Sequence, residues 1–246
     1  MIPRFHCSFP LAPGAQVDLP EQAAHHALRV LRMKAGDTVI LFDGHGGEWR
    51  AEIVGAGRGG QGAARAVLRE FNDRASESPL DITLVQGLPS GDKMDWVVEK
   101  CVELGVTAIQ PIAAKRSVIR LSAERMERRV AHWNAIAAAA CEQCGRNRVP
   151  VVTPILDLPR YLAQARGQNT LRLLLAPETG SALTALPRPS TPLVALVGPE
   201  GGWEDGEMLA AQAAGAAPIR LGPRILRTET AGAAVLAAMQ AIWGDF

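Results

Sequence analysis

Aromatic side chains are scarce in this chain: Phe, Trp and Tyr make up 4% of its 246 residues, and Tyr occurs once. The core therefore has to be packed from the aliphatic and alanine side chains within the 48% of apolar residues. Net charge is nearly missing too, at +1, so a surface for nucleic acid has to be a local patch and not a global field. No hydrophobic run reaches the ~20 residues that span a bilayer; the longest weakly polar stretch, Ala231 to Trp243, falls short. The opening Met1-Ile2-Pro3-Arg4-Phe5-His6 lacks the apolar stretch of a secretory signal. Together these absences predict a cytoplasmic protein with no membrane partner. Four cysteines (Cys7, Cys101, Cys141, Cys144) in a chain of this length do not make a disulfide scaffold.

What is present divides into two halves with different patterning. The first is β-rich. Thr38 to Phe42 is a short buried strand, Asp43 to Gly47 a turn cluster, and Trp49 to Val54 with Ala64 to Phe71 the arms of a hairpin. One helix, Glu21 to Met33, interrupts them, with Ala24, Leu28 and Leu31 at helical spacing. The polar run from Asn72 to Pro79 is the best linker candidate. After it, apolar strands (Ile82 to Gln86, Ala108 to Ile112, Leu171 to Ala176, Leu193 to Val197, Ile219 to Leu221) alternate with helices. The helices are Lys93 to Leu104, Ala123 to Cys144, Leu158 to Arg166, Glu204 to Ala214 and Glu229 to Trp243. Near-continuous apolar strands between helices predict an α/β domain with a parallel sheet buried on both faces. The expected domains are 1–72 and 80–246, joined by a linker at 73–79.

Several motifs invite a functional reading. Gly57-Arg58-Gly59-Gly60-Gln61-Gly62 matches G-x-G-x-x-G, but no helical stripe follows it, so a hairpin tip is the better reading than a dinucleotide site. Cys141-Glu142-Gln143-Cys144 closes a long helix and has no second ligand pair, so structural thiols are expected and no metal. His25 and His26 are adjacent and would point about 100° apart on a helix, which suits surface or RNA-facing residues better than a metal site. The segment from Lys115 to Arg148 holds eight basic residues against three acidic ones, +5 in a chain whose total is +1. Its arginines suit phosphate and base-edge contacts, so a polyanion surface is expected there.

Two glycine-bearing loops follow buried strands in the second half. Val197-Gly198-Pro199-Glu200-Gly201-Gly202 leaves one strand, and Leu221-Gly222-Pro223-Arg224-Ile225-Leu226-Arg227-Thr228-Glu229 leaves the last strand and opens the terminal helix. Loops at the carboxyl ends of parallel strands are where α/β folds bind ligands. Neither spacing is that of a P-loop or a Rossmann fingerprint.

These residues carry a family resemblance. Gly198-Pro199-Glu200-Gly201-Gly202 with Leu221-Gly222-x-Arg224-Ile225-Leu226-Arg227-x-Glu229-Thr230-Ala231 is similar to the signature of knotted (SPOUT) methyltransferases. More narrowly it resembles the family that makes N3-methyluridine in small-subunit (16S) ribosomal RNA. The likeness continues through Lys93-x-Asp95-x-x-x-Glu99-Lys100 and through Trp133-x-x-Ile136-x-x-x-Ala140-x-Glu142-Gln143-Cys144-x-Arg146, and in front through Arg4-Phe5, His25-His26 and Gly36-Asp37. It implies a small PUA-like β-barrel that grips RNA, then a parallel-sheet domain with helices on both faces whose C-terminal chain threads a loop into a trefoil knot, an exception to the rule that chains do not thread. It implies S-adenosylmethionine as cofactor, a homodimer, and action on ribosomal RNA within the assembled subunit. One departure is Trp203-Glu204, where the pattern leads to an aromatic followed by serine, so a helix cap is expected to be lost.

The resemblance implies cofactor contacts from Leu175, Ala176, Val197, Gly198, Pro199, Gly201, Gly202, Leu221, Gly222, Ile225 and Leu226. Arg4, His25, Arg32, Arg116 and Arg146 are the expected RNA contacts. Methylating N3 of uracil requires loss of an imide proton, which calls for a base or for cations that stabilise the anion. Glu142 and Glu229 are the candidate bases, Arg146 and Arg227 the candidate anion stabilisers, and the residues alone do not choose between the two acids. Two rivals stay open: an RNA-binding protein of this fold without turnover, and a nicotinamide oxidoreductase using Gly57 to Gly62.

Overall fold

The change of patterning near residue 78 is also a change of architecture. A computed structural model describes residues 2–56, 64–74, 76–117 and 122–246. The chain divides into two compact units, 1–77 with 138–149, and 78–137 with 150–246. The expected boundaries differ in one respect: the end of the long helix and the turn after it, 138–149, group with the first unit. The glycine-rich Gly57 to Gly62 lies outside the described residues.

The first unit is a five-stranded sheet of β1 (Arg4–His6), β2 (Gln16–Asp18), β3 (Thr38–Phe42), β4 (Glu48–Ala56) and β5 (Ala64–Asn72). Its order is β1-β3-β4-β5-β2. β1 runs parallel to β3, while the other pairs are antiparallel. Alternation puts Val39, Leu41, Ala51, Ile53, Ala64 and Ala66 into one apolar cluster with Phe5. Ala23, Ala24 and Ala27 pack on it from the helical segment. That segment departs from the expected single helix. Helix α1 is only Glu21–His25, and His26–Val30 is π-helical. It ends at Arg32, whose φ of 56° lies in the left-handed region and lets the Met33 N–H reach the Ala27 carbonyl.

The second unit alternates strand and helix. Its strands are β6 (Ile82–Gly87), β7 (Ala108–Ile112), β8 (Val151–Val152), β9 (Leu171–Leu175), β10 (Ser181–Ala182), β11 (Leu193–Val197) and β12 (Ala216–Arg220). Its helices are α2 (Lys93–Glu103), the first part of α3 (Ala123–Cys144), α4 (Leu158–Gln164), α5 (Asp205–Ala213) and α6 (Thr228–Trp243). The sheet order is β10-β12-β9-β11-β6-β7-β8, and every pair is parallel. Val85, Leu174, Val194 and Leu196 face a cluster with Leu158 from α4, Trp203 from the loop after β11 and Ala211 from α5. α6 lies on β6 and β11 and packs against α2. All five residues of β11 are buried, and burying each Leu or Val contributes roughly 1.5–3 kcal/mol. A continuous apolar run is the sequence trace of that two-sided burial.

Candidate functional site

The strand order sets the site. The loops after β11 and β12 are not neighbours: β9 lies between them. Three consecutive strands, β12, β9 and β11, therefore deliver their carboxyl-terminal loops to one end of the parallel sheet, where α/β folds bind ligands. Backbones come very close here. A Cβ on Gly87, the last residue of β6, would lie 2.6 Å from the Pro199 nitrogen and 2.9 Å from the Gly198 carbonyl carbon. Only a glycine lets that strand end pass the loop.

The loop from Gly198 to Gly202 is held by polar contacts on every side. Gln86 is fully buried at the end of β6; its Nε2 donates to the Thr228 Oγ1 at 2.8 Å and to the Gly87 carbonyl at 3.0 Å. Thr228, at the head of α6, donates its hydroxyl to the Gly198 carbonyl. Further round the loop, the Glu200 carboxylate accepts from the Ser90 backbone N–H at 2.9 Å, the Ser90 hydroxyl at 2.6 Å and the Lys93 ammonium at 2.9 Å. Burial alone would raise the Glu200 pKa, but these donors outweigh it and hold the carboxyl at about 2. Lys93 also lies 3.9 Å from Glu229. The Arg116 Nη1 donates to the Gly201 carbonyl at 3.0 Å. Gln86, Ser90 and Lys93 were not among the expected site residues. The signal was available in Lys93 but not in Gln86, whose partner is 142 residues away.

The expected cap loss at Trp203-Glu204 does not occur. Glu204 takes the cap position in a capping box with Glu207: Glu207 accepts from the Glu204 backbone N–H at 3.0 Å, and its other oxygen accepts from the Lys115 N–H at 3.0 Å.

Of the expected cofactor residues, Ala176, Val197 and Pro199 are buried, Leu175, Gly198, Leu221 and Leu226 are half-buried, and Gly201, Gly202, Gly222 and Ile225 are exposed. Gly202 and Gly222 adopt φ of +68° and +96°, with nothing within 4 Å of the side a Cβ would occupy. Open space beside left-handed backbone admits a ligand to the peptide groups themselves. Aliphatic side chains around it suit the faces of a purine ring. The arrangement fits an adenosine-bearing cofactor.

The expected catalytic residues separate. Arg227 and Glu229 stand at the head of α6 beside these loops, and the Glu229 Oε2 is buried with no hydrogen-bond partner among the described residues. Glu142 and Arg146 belong to the first unit. Glu142 accepts the His6 backbone N–H at 2.8 Å, and burial pushes its pKa above the usual carboxylate value despite that bond and the nearby His26 and Arg4. Arg146 forks onto Glu77 at 2.9 and 2.7 Å with its side chain 6% exposed.

The expected RNA contacts divide likewise. The Arg4 side chain is 8% exposed, with its guanidinium on Glu48, Asn147 and the Arg146 carbonyl. Arg146 is turned inward too. His25, Arg32 and Arg116 are exposed. Within the +5 segment, Lys115 pairs with Glu204, Arg128 with Glu124 and Arg146 with Glu77. Arg120 lies outside the described residues. All four cysteines are free thiols, and burial raises Cys141 to about 12, well away from a reactive thiolate.

Comparison with known proteins now bears on this geometry. Residues 76–240 match the RNA methyltransferase domain family, and residues 19–60 match the RNA methyltransferase PUA domain. Ribosomal RNA small subunit methyltransferase E of Synechocystis is 36% identical over 93% of this chain and 74% of its own length. Its Bacillus subtilis counterpart is 32% identical over 89% and 87%. The crystal structure of ribosomal RNA small subunit methyltransferase E from Neisseria gonorrhoeae, bound to S-adenosyl methionine, covers both chains fully at 41% identity and a TM-score of 0.92. The fold is accordingly the knotted SPOUT-type parallel sheet preceded by a small PUA-like domain. By sequence along its length and by fold, the chain belongs to the RNA methyltransferase family of ribosomal RNA small subunit methyltransferase E.

Proposed function

We propose that this protein uses S-adenosylmethionine to methylate N3 of one uridine in small-subunit ribosomal RNA, acting in the cytoplasm as a homodimer on the assembled subunit. The observation that carries the reading is the trio of loops leaving β9, β11 and β12 at one end of the parallel sheet, with open, left-handed backbone at Gly202 and Gly222. Leu175, Ala176, Val197, Leu221, Ile225 and Leu226 would hold the cofactor's adenosine among them, with backbone of Gly198, Gly201, Gly202 and Gly222 close by. S-adenosylmethionine supplies a methyl group on a sulfonium that is already activated for transfer. The protein's task is then the imide proton of uracil.

Glu229 is the base we favour. It shares a unit with the loops, and its Oε2 is buried with no hydrogen-bond partner among the described residues while Lys93 lies 3.9 Å from its Oε1, whereas the Glu142 carboxylate accepts the His6 N–H. Arg227, exposed at the head of α6, would stabilise the developing anion. His25, Arg32 and Arg116 remain the proposed RNA contacts. On α6, Val235, Leu236 and Met239 are buried inside the unit, and Ile242, 39% exposed, is the apolar side chain left open to the proposed homodimer contact. Mass spectrometry of ribosomal RNA from cells lacking the gene tests the whole reading. Loss of one N3-methyluridine from the small-subunit RNA is expected. An unchanged set of N3-methyluridines there would overturn it.

A further inference from the structure

We infer that Gln86 is a positioning residue for the methyl-transfer site, acting through Thr228 to fix the carbonyl of Gly198 and so the shape of the glycine loop. The inference rests on the functional reading above and deepens it. Gln86 is a fully buried amide in a sheet whose neighbouring positions are apolar. Its Nε2 has two hydrogens, and both have partners: the Thr228 hydroxyl oxygen and the carbonyl of Gly87. Because Thr228 accepts from Gln86, its own proton is directed at the Gly198 carbonyl. The relay thus has one polarity and runs from the end of β6 through the head of α6 to the loop after β11.

The unused end of the amide carries the same message. The Gln86 Oε1 is buried with no hydrogen-bond partner among the described residues. A Cβ on Gly232 would lie 3.0 Å from it, so the amide is gripped from the side of α6 as well. A buried acceptor left unsatisfied is unfavourable, and an aliphatic side chain would avoid it. A core that needed only volume at this position would be better served by Leu or Met. What an aliphatic residue cannot do is orient the Thr228 hydroxyl.

The test uses the full-length purified protein, with calorimetric titration of S-adenosylmethionine, methyl-transfer kinetics on small subunits and thermal unfolding of each variant. Gln86→Met keeps the volume and removes both donors. Thr228→Val keeps the shape and removes the hydroxyl, while Thr228→Ser keeps the hydroxyl. Gln86→Met and Thr228→Val should each raise the cofactor Kd at least fivefold and raise its KM to match, with kcat and the KM for subunits within twofold. The double variant should be no worse than the poorer single one, since both cut the same relay. Thr228→Ser should bind like the wild type. If Gln86→Met does not fold, the Thr228 pair carries the test alone. Cofactor affinity unchanged in folded Thr228→Val, or losses that multiply in the double variant, would overturn the inference. So would a fall in unfolding temperature without a loss of affinity, which marks a merely structural amide. A wild-type protein that binds no S-adenosylmethionine overturns the functional reading and the inference with it.

Discussion

The first unit and the glycine loop of the second hold their buried polarity in different ways. In the first, charge is buried and matched. Arg4 meets Glu48 and Asn147, and Arg146 forks onto Glu77, whose other oxygen accepts the backbone N–H groups of Asn147 and Arg148 at 3.1 and 3.0 Å. In the second, the glycine loop is tied to its surroundings by a neutral amide, a hydroxyl and backbone carbonyls, with ion pairs only at the exposed rim. A segment fixed by matched charges is rigid but costly to break. A loop fixed by neutral hydrogen bonds is held at smaller cost, and it leaves its electrostatics free for a charged ligand. Counting arginines therefore misleads in the first unit, where the most strongly bound ones are interior.

The largest expected effect comes from breaking the matched charge. Arg146→Ala leaves Glu77 without its guanidinium partner, at a cost of about 3–5 kcal/mol. The change should lower the unfolding temperature by many degrees. Were Arg146 instead an RNA clamp, the variant would keep its stability and show a flatter dependence of RNA binding on salt, by about 0.7 to 0.9 in slope for one phosphate. Thermal unfolding and salt titration together separate the two.

Next is the proposed base. Glu229→Gln should lower turnover by about 10²-fold or more and leave cofactor affinity in calorimetry within twofold. Glu142→Gln, in the first unit, should leave turnover nearly intact. The reverse pattern would move the base to Glu142 and remove the present preference.

A smaller effect is expected at the loop itself. Gly87→Ala must displace Gly198 and Pro199 backbone, because the new Cβ would sit 2.6 Å from a peptide nitrogen. About a tenfold loss of S-adenosylmethionine affinity, roughly 1.4 kcal/mol, is expected in a folded protein. Gly201→Ala should lose less, since its Cβ would meet the flexible side chain of Arg116 at 3.0 Å. Equal affinities for the wild type and Gly87→Ala would show that the close approach has no bearing on the cofactor.

Much of this was legible in the sequence where one local signal governs. β7 and β11 were predicted at their observed limits, because an apolar run between turn residues has one reading in a parallel sheet. Helix α3 also ran from Ala123 to Cys144 as expected. Illegible were the strands of two or three residues, β1, β2, β8 and β10, too short to show a period. Their pairing comes from neighbours distant in sequence, as when Arg4 meets Ile40. The π-helical turn at His26–Val30 was hidden because Leu28 and Leu31 fit an α-helical stripe equally well. In the site, the glycine loops were visible as composition, and Gln86 was not, since its meaning lies in Thr228. For Arg4 and Arg146 the sequence shows a charge without its partners, Glu48 and Glu77.

The smallest expected effects, and the finest probe of the contrast, concern acid. Glu200 in the second unit has a folded pKa of about 2, below the ordinary 4.5. Its contribution is therefore fully present above pH 4.5 and is lost as the pH falls towards 2. Glu142 in the first unit is shifted the other way, raised above 4.5 by burial. Ionising it opposes folding, so that cost is absent below pH 4.5 and grows as the pH rises through the folded value. The two carboxylates must respond to acid with opposite signs. Glu200→Gln should destabilise at pH 7, by the 0.2–1 kcal/mol or so typical of an exposed pair, with the difference from wild type shrinking towards pH 2. Glu142→Gln keeps an acceptor for the His6 N–H and should stabilise at pH 7, with its advantage vanishing below pH 4.5. Urea unfolding of both variants at pH 7, 5 and 3 reads the signs directly. Two variants that change stability in the same direction at pH 7 would break this contrast, because the buried and the rim-held carboxylate would then be energetically alike.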